Sequence, residues 1–325
     1  MDDFILLLVG IFGLWGGTQI TIKNAALIAE EFHVSELFIG LTILAFGTDL
    51  PELIVAIDGS IHNLHGEQTS RIIVGNAIGS SVCQISVVIG VVAIYSLLSI
   101  DKKQLQHLAI ELLGSIVLLS LVAFDHIVTW NDGALLIIAF LIYFFTLWQG
   151  EKHAKASEIK AEIPPKPPAP KRGTIWARFP VQIILLVLGL AIVAFSSEFT
   201  IDHALAIAQI WSIQQSFIGA VIVGLGTSLP ELAISINAIA NNKSGLSIGN
   251  IVGSNIFDLL VPIGIASLIS DIKVEGPVLW FDMPYLFVLT GTVIYFFTRE
   301  RGLQHWEGIG LTVMYLVYAF VKFFL

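Results

Sequence analysis

A single cysteine, Cys83, is the whole thiol complement of this 325-residue chain. One thiol excludes an intramolecular disulfide and carries no signal of compartment. Positive charge is equally thin. Sixteen Lys and Arg stand against 25 Asp and Glu, and they form no basic stripe, so nucleic acid is not an expected partner. Only 13% of the residues are charged, where soluble domains carry about 25%. The opening stretch MDDFILLLVG lacks the positive flank of a cleaved leader, so a first membrane span is expected from residue 3 onward. What fills the chain instead is hydrocarbon: 56% of it is hydrophobic, with a mean hydropathy of +0.86. These values belong to a polytopic membrane protein, with the lipid bilayer as its main partner.

A span takes about 20 mainly apolar residues. Ten segments qualify, at 3–29, 36–61, 70–98, 105–123, 132–149, 179–207, 216–239, 245–269, 278–297 and 306–324. The long polar stretch, 150–178, contains EIPPKPPAP, which cannot be helical and is expected to be extended and solvated. With the amino terminus outside, twelve Lys and Arg fall in inner loops and Arg71, Lys273 and Lys322 fall outside. The positive-inside rule then places both termini outside and the linker in the cytoplasm.

Two six-residue strings recur. GTDLPE occupies 47–52 and GTSLPE occupies 226–231. Around them, 38–59 falls on 217–238 with eleven of 22 positions identical. Downstream, VGNAIGSSVCQ (74–84) falls on IGNIVGSNIFD (248–258). An ordered double match exceeds what small-residue helix contacts produce by chance. The chain therefore reads as two five-span units: 1–149 with its motif region at 38–90, and 179–325 with its motif region at 217–264. Five is odd, so the second unit enters the membrane from the opposite face. The expected fold is all-α, with ten transmembrane helices as two inverted five-helix repeats, an arrangement common in secondary transporters.

The motifs carry chemistry that lipid does not tolerate idly. Pro51 and Pro230 have no N–H, so the carbonyls of Gly47 and Gly226 lose their helical donors. Glu52 and Glu231 each cost roughly 2.5–3.5 kcal/mol or more at mid-bilayer, which marks them as functional by default. They come from antiparallel spans and can meet near the midplane. Thr48 shares a helical face with Glu52, and Thr227 with Glu231. Ser80, Ser254, Asn255 and Asp258 add oxygens, and Gln84 stands opposite Asp258 in the repeat. Carboxylate, hydroxyl and bare carbonyl suit Ca²⁺ or Na⁺ rather than soft transition metals.

Both halves resemble the alpha repeats of the cation/calcium exchanger superfamily, with the pattern G-T-S-x-P-E followed by G-S-N-x-x-[ND]. The resemblance covers essentially the whole chain and is greatest to prokaryotic sodium/calcium exchangers. The proton/calcium branch has G-N-x-x-E in its second motif, where this chain reads GSSVCQ and GSNIFD. The resemblance implies a Na⁺/Ca²⁺ antiporter of a prokaryotic plasma membrane, working as a monomer by alternating access, with the ions as cargo and no resident cofactor. It implies that Glu52 and Glu231 share the Ca²⁺, helped by the Thr48 and Thr227 carbonyls. Ser80, Gln84, Ser228, Ser254 and Asp258 would build flanking Na⁺ sites. The first and sixth spans would slide past a fixed core. Three positions depart from the pattern: Asp49 for the usual Ser, Gln84 for Asn, and Gly224 for Ala.

Asp49 lies three residues before Glu52, so on a helix the two acids face one region. With Glu231 and Asp258 the site would hold four carboxylates, which cannot all stay ionised without cations. Asp49 is expected to bind Na⁺ or a proton while Ca²⁺ is present, unless it points away toward water. His62, His65 and Glu67 offer a loop metal site, though His ligands need oriented partners. Asp58 reads as a vestibule carboxylate or a solvated helix end, and Glu198 as a path-lining or a merely satisfied acid. Lys23 is expected to snorkel, unpaired with its repeat equivalent Asp202. Three other functions compete. A proton-coupled cation exchanger is the alternative transporter. An intramembrane aspartic protease needs G-x-G-D and Y-D contexts, which do not occur, so the chain is not expected to be an enzyme. A passive channel needs no inverted pair of broken helices.

Overall fold

The computed structural model describes residues 2–66, 69–98, 100–160, 179–210, 228–299 and 302–324. Thr227, Glu67, most of the Pro-rich linker and the first half of the expected seventh span lie outside the described residues, as does the side chain of Glu198.

Eleven helices make up nearly all of the described chain. They are α1 (Asp2–Phe32), α2 (Glu36–Thr48), α3 (Leu50–Leu64), α4 (Ser70–Tyr95), α5 (Lys102–Val122) and α6 (Trp130–Lys160). The others are α7 (Phe179–Ile210), α8 (Leu229–Ala240), α9 (Ser244–Ile269), α10 (Val278–Thr298) and α11 (His305–Phe324). Each of the ten segments marked out above carries helix, the seventh over its described part. Among the described residues seven helices are long and apolar enough to cross a membrane, or eight if α2 and α3 count as one span bent by 45°. π-turns interrupt α2 at Gly40–Leu44, α4 at Gln84–Val88 and α10 at Val278–Asp282.

The two inner helices are α4 and α9, and they are polar for membrane helices. Their buried faces carry Ser80, Ser81, Gln84, Asn250, Ser254, Asn255 and Asp258. The surrounding α5, α6 and α10 turn Ile110, Ile138, Leu141 and Val288 outward, an apolar surface suited to lipid. The hydrophobic interior divides in two. The larger core gathers α4, α5, α6, α9, α10 and α11. A smaller one joins Leu14, Ile22 and Ile28 of α1 to Leu186 and Val193 of α7 and to Phe38, Leu44 and Ile234. α1 and α7 thus form a pair against α2 and α8. A Cβ at Gly189 would stand 2.9 Å from the Thr21 amide nitrogen, so this pair touches backbone to backbone.

α2 and α9 approach as closely. A Cβ at Gly40 would stand 2.7 Å from the Leu246 carbonyl oxygen and one at Gly249 would stand 2.8 Å from the Leu41 amide nitrogen. Gly249→Val should therefore destabilise the protein by about 1–3 kcal/mol or more through overpacking. Gly114→Ala, where a Cβ meets nothing within 4 Å, should be neutral or slightly stabilising. Thermal unfolding of the two variants in detergent measures the difference, and an unchanged midpoint for Gly249→Val would refute the close contact.

The ends of the helices fix their directions. At one end Lys243, just before α9, pairs with Glu36 at the start of α2 (2.5 Å), and Glu151 of α6 accepts from the Ser35 hydroxyl (2.8 Å). At the other end Asn63 of α3 donates to Ser270 Oγ (3.1 Å) and to the Asp271 carbonyl (2.9 Å), just past α9. A short antiparallel ladder pairs β1 (Ile127–Val128) with β2 (Ile272–Lys273) at this end. α2, α3 and α9 therefore run the same way, while α8, which leads into Lys243, runs the opposite way.

Candidate ion-binding site

Both GTxLPE strings lie where a helix begins in mid-bundle. Asp49 (φ −89°, ψ 4°) separates α2 from α3, and Ser228 (φ −93°, ψ 8°) precedes α8. The two breaks have the same backbone conformation. Pro51 and Pro230 occupy the second position of the new helix, where a missing N–H is harmless. The break expected from Pro51 thus falls two residues before it, at Asp49, and Ser228 stands at the same distance before Pro230. Glu52 and Glu231 take the next position, at helix N-termini whose dipoles favour negative charge. Since α3 and α8 leave toward opposite ends, the two N-termini and their glutamates face the same interior.

Four helical segments meet there. Asp49 and Glu52 come from the α2–α3 break, Ser80 and Gln84 from α4, Ser228 and Glu231 from the start of α8, and Ser254 and Asp258 from α9. All eight residues are buried, as is Thr48. The Thr48 hydroxyl donates to the Leu44 (3.1 Å) and Ala45 (3.2 Å) carbonyls and lies 3.5 Å from Ser254 Oγ. Gln84 Nε2 donates to Asp258 Oδ2 (3.1 Å), and Asn255 Nδ2 donates to Gln84 Oε1 (2.7 Å). This chain holds the Gln84 amide with its nitrogen toward the acid. Asp49 has Glu231, Asp258 and Glu52 as like-charged neighbours.

Seven buried carboxylate oxygens of this cluster have no hydrogen-bond partner: both of Asp49, both of Glu52, both of Glu231, and Oδ1 of Asp258; Glu111 Oε2 of α5, elsewhere, is another. The Ser80, Ser81 and Ser228 hydroxyls are also unpartnered. The ion pairs found among the described residues involve other acids: Asp58, Glu275, Glu36, Glu307 and Asp282. A native interior pairs its buried polar groups, and a bare buried charge is among the costliest features a fold can hold. Such a cluster calls for cations or protons to balance it. Among the described residues no group of three or more His, Cys, Asp or Glu is drawn together around one point as for a tightly held metal. The acids come from the α2–α3 break, from α9 and from the start of α8, and hydroxyls and a carboxamide of the same segments are buried with them. An oxygen-only set of this kind suits hard cations.

Nine of the ten residues singled out from sequence are therefore placed in one interior; the tenth, Thr227, lies outside the described residues. Asp49 points inward, not toward water. Asp58 is exposed, 3.9 Å from the exposed His62. Sequence reasoning missed Ser81, buried beside Ser80, and the neighbourhood of Cys83, whose thiol faces Ser228. It also missed Glu111 of α5, which accepts from Thr146 of α6 (3.3 Å); the signal was an acid alone in the apolar run 105–123. Asn237, the repeat equivalent of Asp58, is buried and donates to the Thr18 hydroxyl of α1 (2.7 Å).

A helical membrane protein with an unpaired acid cluster at the starts of two helices in mid-bundle belongs among those that handle ions within the bilayer. Comparison with known proteins makes the class specific. The model of the sodium/calcium exchanger protein family matches residues 3–149 and 181–324, and the chain belongs to that family. An uncharacterized membrane protein of Methanocaldococcus jannaschii is 31% identical over 95% of this chain and 94% of its own length. Sodium/calcium exchanger MaX1 of Methanosarcina acetivorans is 26% identical over 99% of each chain. A solved structure of the sodium-calcium exchanger NCX_Mj, soaked with 2.5 mM Na⁺ and 0.1 mM Ca²⁺, superposes with a TM-score of 0.78 at 29% identity, covering 98% of this chain and 97% of that one.

Proposed function

We propose that this protein is a secondary antiporter that exchanges Ca²⁺ for Na⁺ across a prokaryotic plasma membrane by alternating access. The observation that carries the reading is the set of seven unpartnered carboxylate oxygens buried between four helical segments. Glu52 and Glu231 together neutralise one divalent ion, and Thr48 and Thr227 contribute carbonyl oxygens beside them. Ser80, Gln84, Ser228, Ser254 and Asp258 bind Na⁺ around that position. Asp49 adds a further charged ligand. The name of the Methanosarcina acetivorans relative supports this choice of ions.

The transport unit is a monomer of ten spans in two inverted five-helix repeats, 1–149 and 179–325, joined by the cytoplasmic linker 150–178, with both termini outside. The opposite directions of α3 and α8 away from the acid cluster support the inversion. The α1–α7 pair, which meets α2 and α8 through the smaller core, is the element that moves. The chain transports and does not catalyse a covalent step. A proton-coupled Ca²⁺ exchanger is the second reading, favoured by the excess of buried carboxylates over any basic partner.

Flux into proteoliposomes separates the two. Radioactive calcium should accumulate when a sodium gradient is imposed at equal pH on both sides. Calcium uptake that follows a pH gradient and ignores sodium would replace this reading with the second one.

A further inference from the structure

The two Pro-Glu helices, α3 and α8, are repeat copies, yet they are covered unequally. Over α8, Leu14, Ile22 and Ala25 of α1 share the smaller core with Ile234 and Ala238, and the Asn237 amide donates to the Thr18 hydroxyl (2.7 Å). Asn241, one turn on, donates to Asn237 Oδ1 (2.6 Å) and holds that amide in place. The same face of α3 is open. Val55 is 39% exposed where its counterpart Ile234 is 0%, and Pro51 and Asp58 are exposed where Pro230 and Asn237 are buried. Among the described residues α3 contributes nothing to the core that holds α1 and α7.

Sequence supplies the cover that α3 lacks. The offset of 179 residues that lays α3 on α8 also lays α1 on α7: Leu14 falls on Val193, Thr18 on Ser197, Thr21 on Thr200 and Ile22 on Ile201. Movement of the α1–α7 pair would thus bring α7 over α3 as α1 now lies over α8. The two faces differ in one pair of residues. Where α8 carries Asn237 and Asn241, α3 carries Asp58 and His62, with Oδ2 and Nε2 3.9 Å apart. Two amides are indifferent to pH. An acid and a histidine are not, since histidine ordinarily changes charge between about pH 5 and 8. Beside an imidazolium a covered Asp58 keeps its counter-charge. Beside a neutral ring it becomes a buried charge without one, which a fold resists. The elements packed on α3 bring Arg71 of α4, paired with Glu275, and Asp271 and Lys273 from the stretch after α9. α9 itself carries only Asp258, in the acid cluster, and α3 ends at His65, which bonds to the Ile61 carbonyl (2.9 Å). α7 would add Asp202 and His203.

We propose that Asp58 and His62 form a proton-operated latch on the outer side: with His62 protonated, α7 closes over α3, and with His62 neutral the outer side is held open. The inference rests on the alternating-access reading above. The inner latch, Asn237 and Asn241 against Thr18, is closed in this structure and has no group that titrates.

Val55→Cys places a reporter on the face that α7 would cover, and the native Cys83 is buried. A membrane-impermeant thiol reagent is added outside proteoliposomes of the full chain, at an external pH of about 6 or about 8, values that bracket the ordinary histidine titration. Each rate is measured in Na⁺, in Ca²⁺ and with neither. It is divided by the rate of the same reporter in the Asp58→Asn, His62→Asn double variant, which copies the inner pair and cancels the reagent's own pH dependence. The normalised rate should be lower at the acid pH by about threefold to tenfold, the shift that up to one pKa unit of differential stability gives. Asp58→Asn alone should reverse the sign, since a covered imidazolium then lacks its counter-charge. His62→Asn alone should label fast at both pH values. Equal normalised rates at the two pH values, or an Asp58→Asn variant that keeps the original sign, overturn the latch. Where calcium or sodium still changes the labelling, that result leaves alternating access standing. Labelling that neither ion nor pH changes shows that α7 does not come to cover this face, and overturns the latch and the alternating-access reading together.

Discussion

Glu52→Gln and Glu231→Gln should each lower calcium flux by on the order of 100-fold or more, because removing one partner of a buried charge pair costs about 3–5 kcal/mol. The same substitutions should raise the thermal stability of the protein in cation-free buffer. Each removes one of four buried like charges that have no counter-charge, and a carboxamide of the same shape keeps the packing. Opposite signs for function and stability separate a ligand from a structural acid. Calcium should raise the unfolding temperature of the wild type by mass action and leave either variant nearly unmoved. Flux in proteoliposomes and thermal unfolding with and without calcium supply the readouts. Near-normal flux in either variant, or a variant less stable than wild type without ions, would remove that glutamate from the site.

A cross-link between α1 and α8 should stop exchange, if access alternates by movement of the α1–α7 pair. Thr18 and Asn237 mark the place, since their buried side chains meet at 2.7 Å. Neither residue belongs to the ion cluster. With cysteines at both positions, a short thiol-cleavable cross-linker should reduce calcium flux by about tenfold or more, a factor worth about 1.4 kcal/mol in an equilibrium constant. A reducing agent should restore it. The native Cys83 is buried and should react slowly. Full activity in the cross-linked protein would show that α1 stays fixed on α8 throughout the cycle.

Much of the site was legible because lipid makes buried polarity conspicuous. Glu52 and Glu231 stand out in apolar runs, and the repeated Pro beside each marks a break in the helix. Other features were silent. Nothing in the letters tells whether Asp49 faces the cluster or water, since a break in the chain frees it from helical periodicity. In the structure it is buried, with Glu231 as a neighbour. Nor does spacing reveal that Gln84 turns its nitrogen toward Asp258, which depends on Asn255 holding the amide oxygen. Glu111 passed unnoticed because it has no counterpart in the repeated motifs.

The sequence by itself determined that the chain is helical and membrane-embedded, that it carries one motif pair twice, and that hard oxygen donors concentrate in those motifs. Composition and periodicity suffice for this, because a bilayer admits few backbone solutions and charges a penalty for each buried acid. Tertiary structure alone decided which acids share one interior. α3 and α8 leave their breaks toward opposite ends, and so the N-termini of two helices far apart in sequence come to face each other. Close glycine contact between α2 and α9 then brings Thr48 to within 3.5 Å of Ser254 across 206 residues of chain. Contacts of that separation arise from packing, which no local pattern encodes.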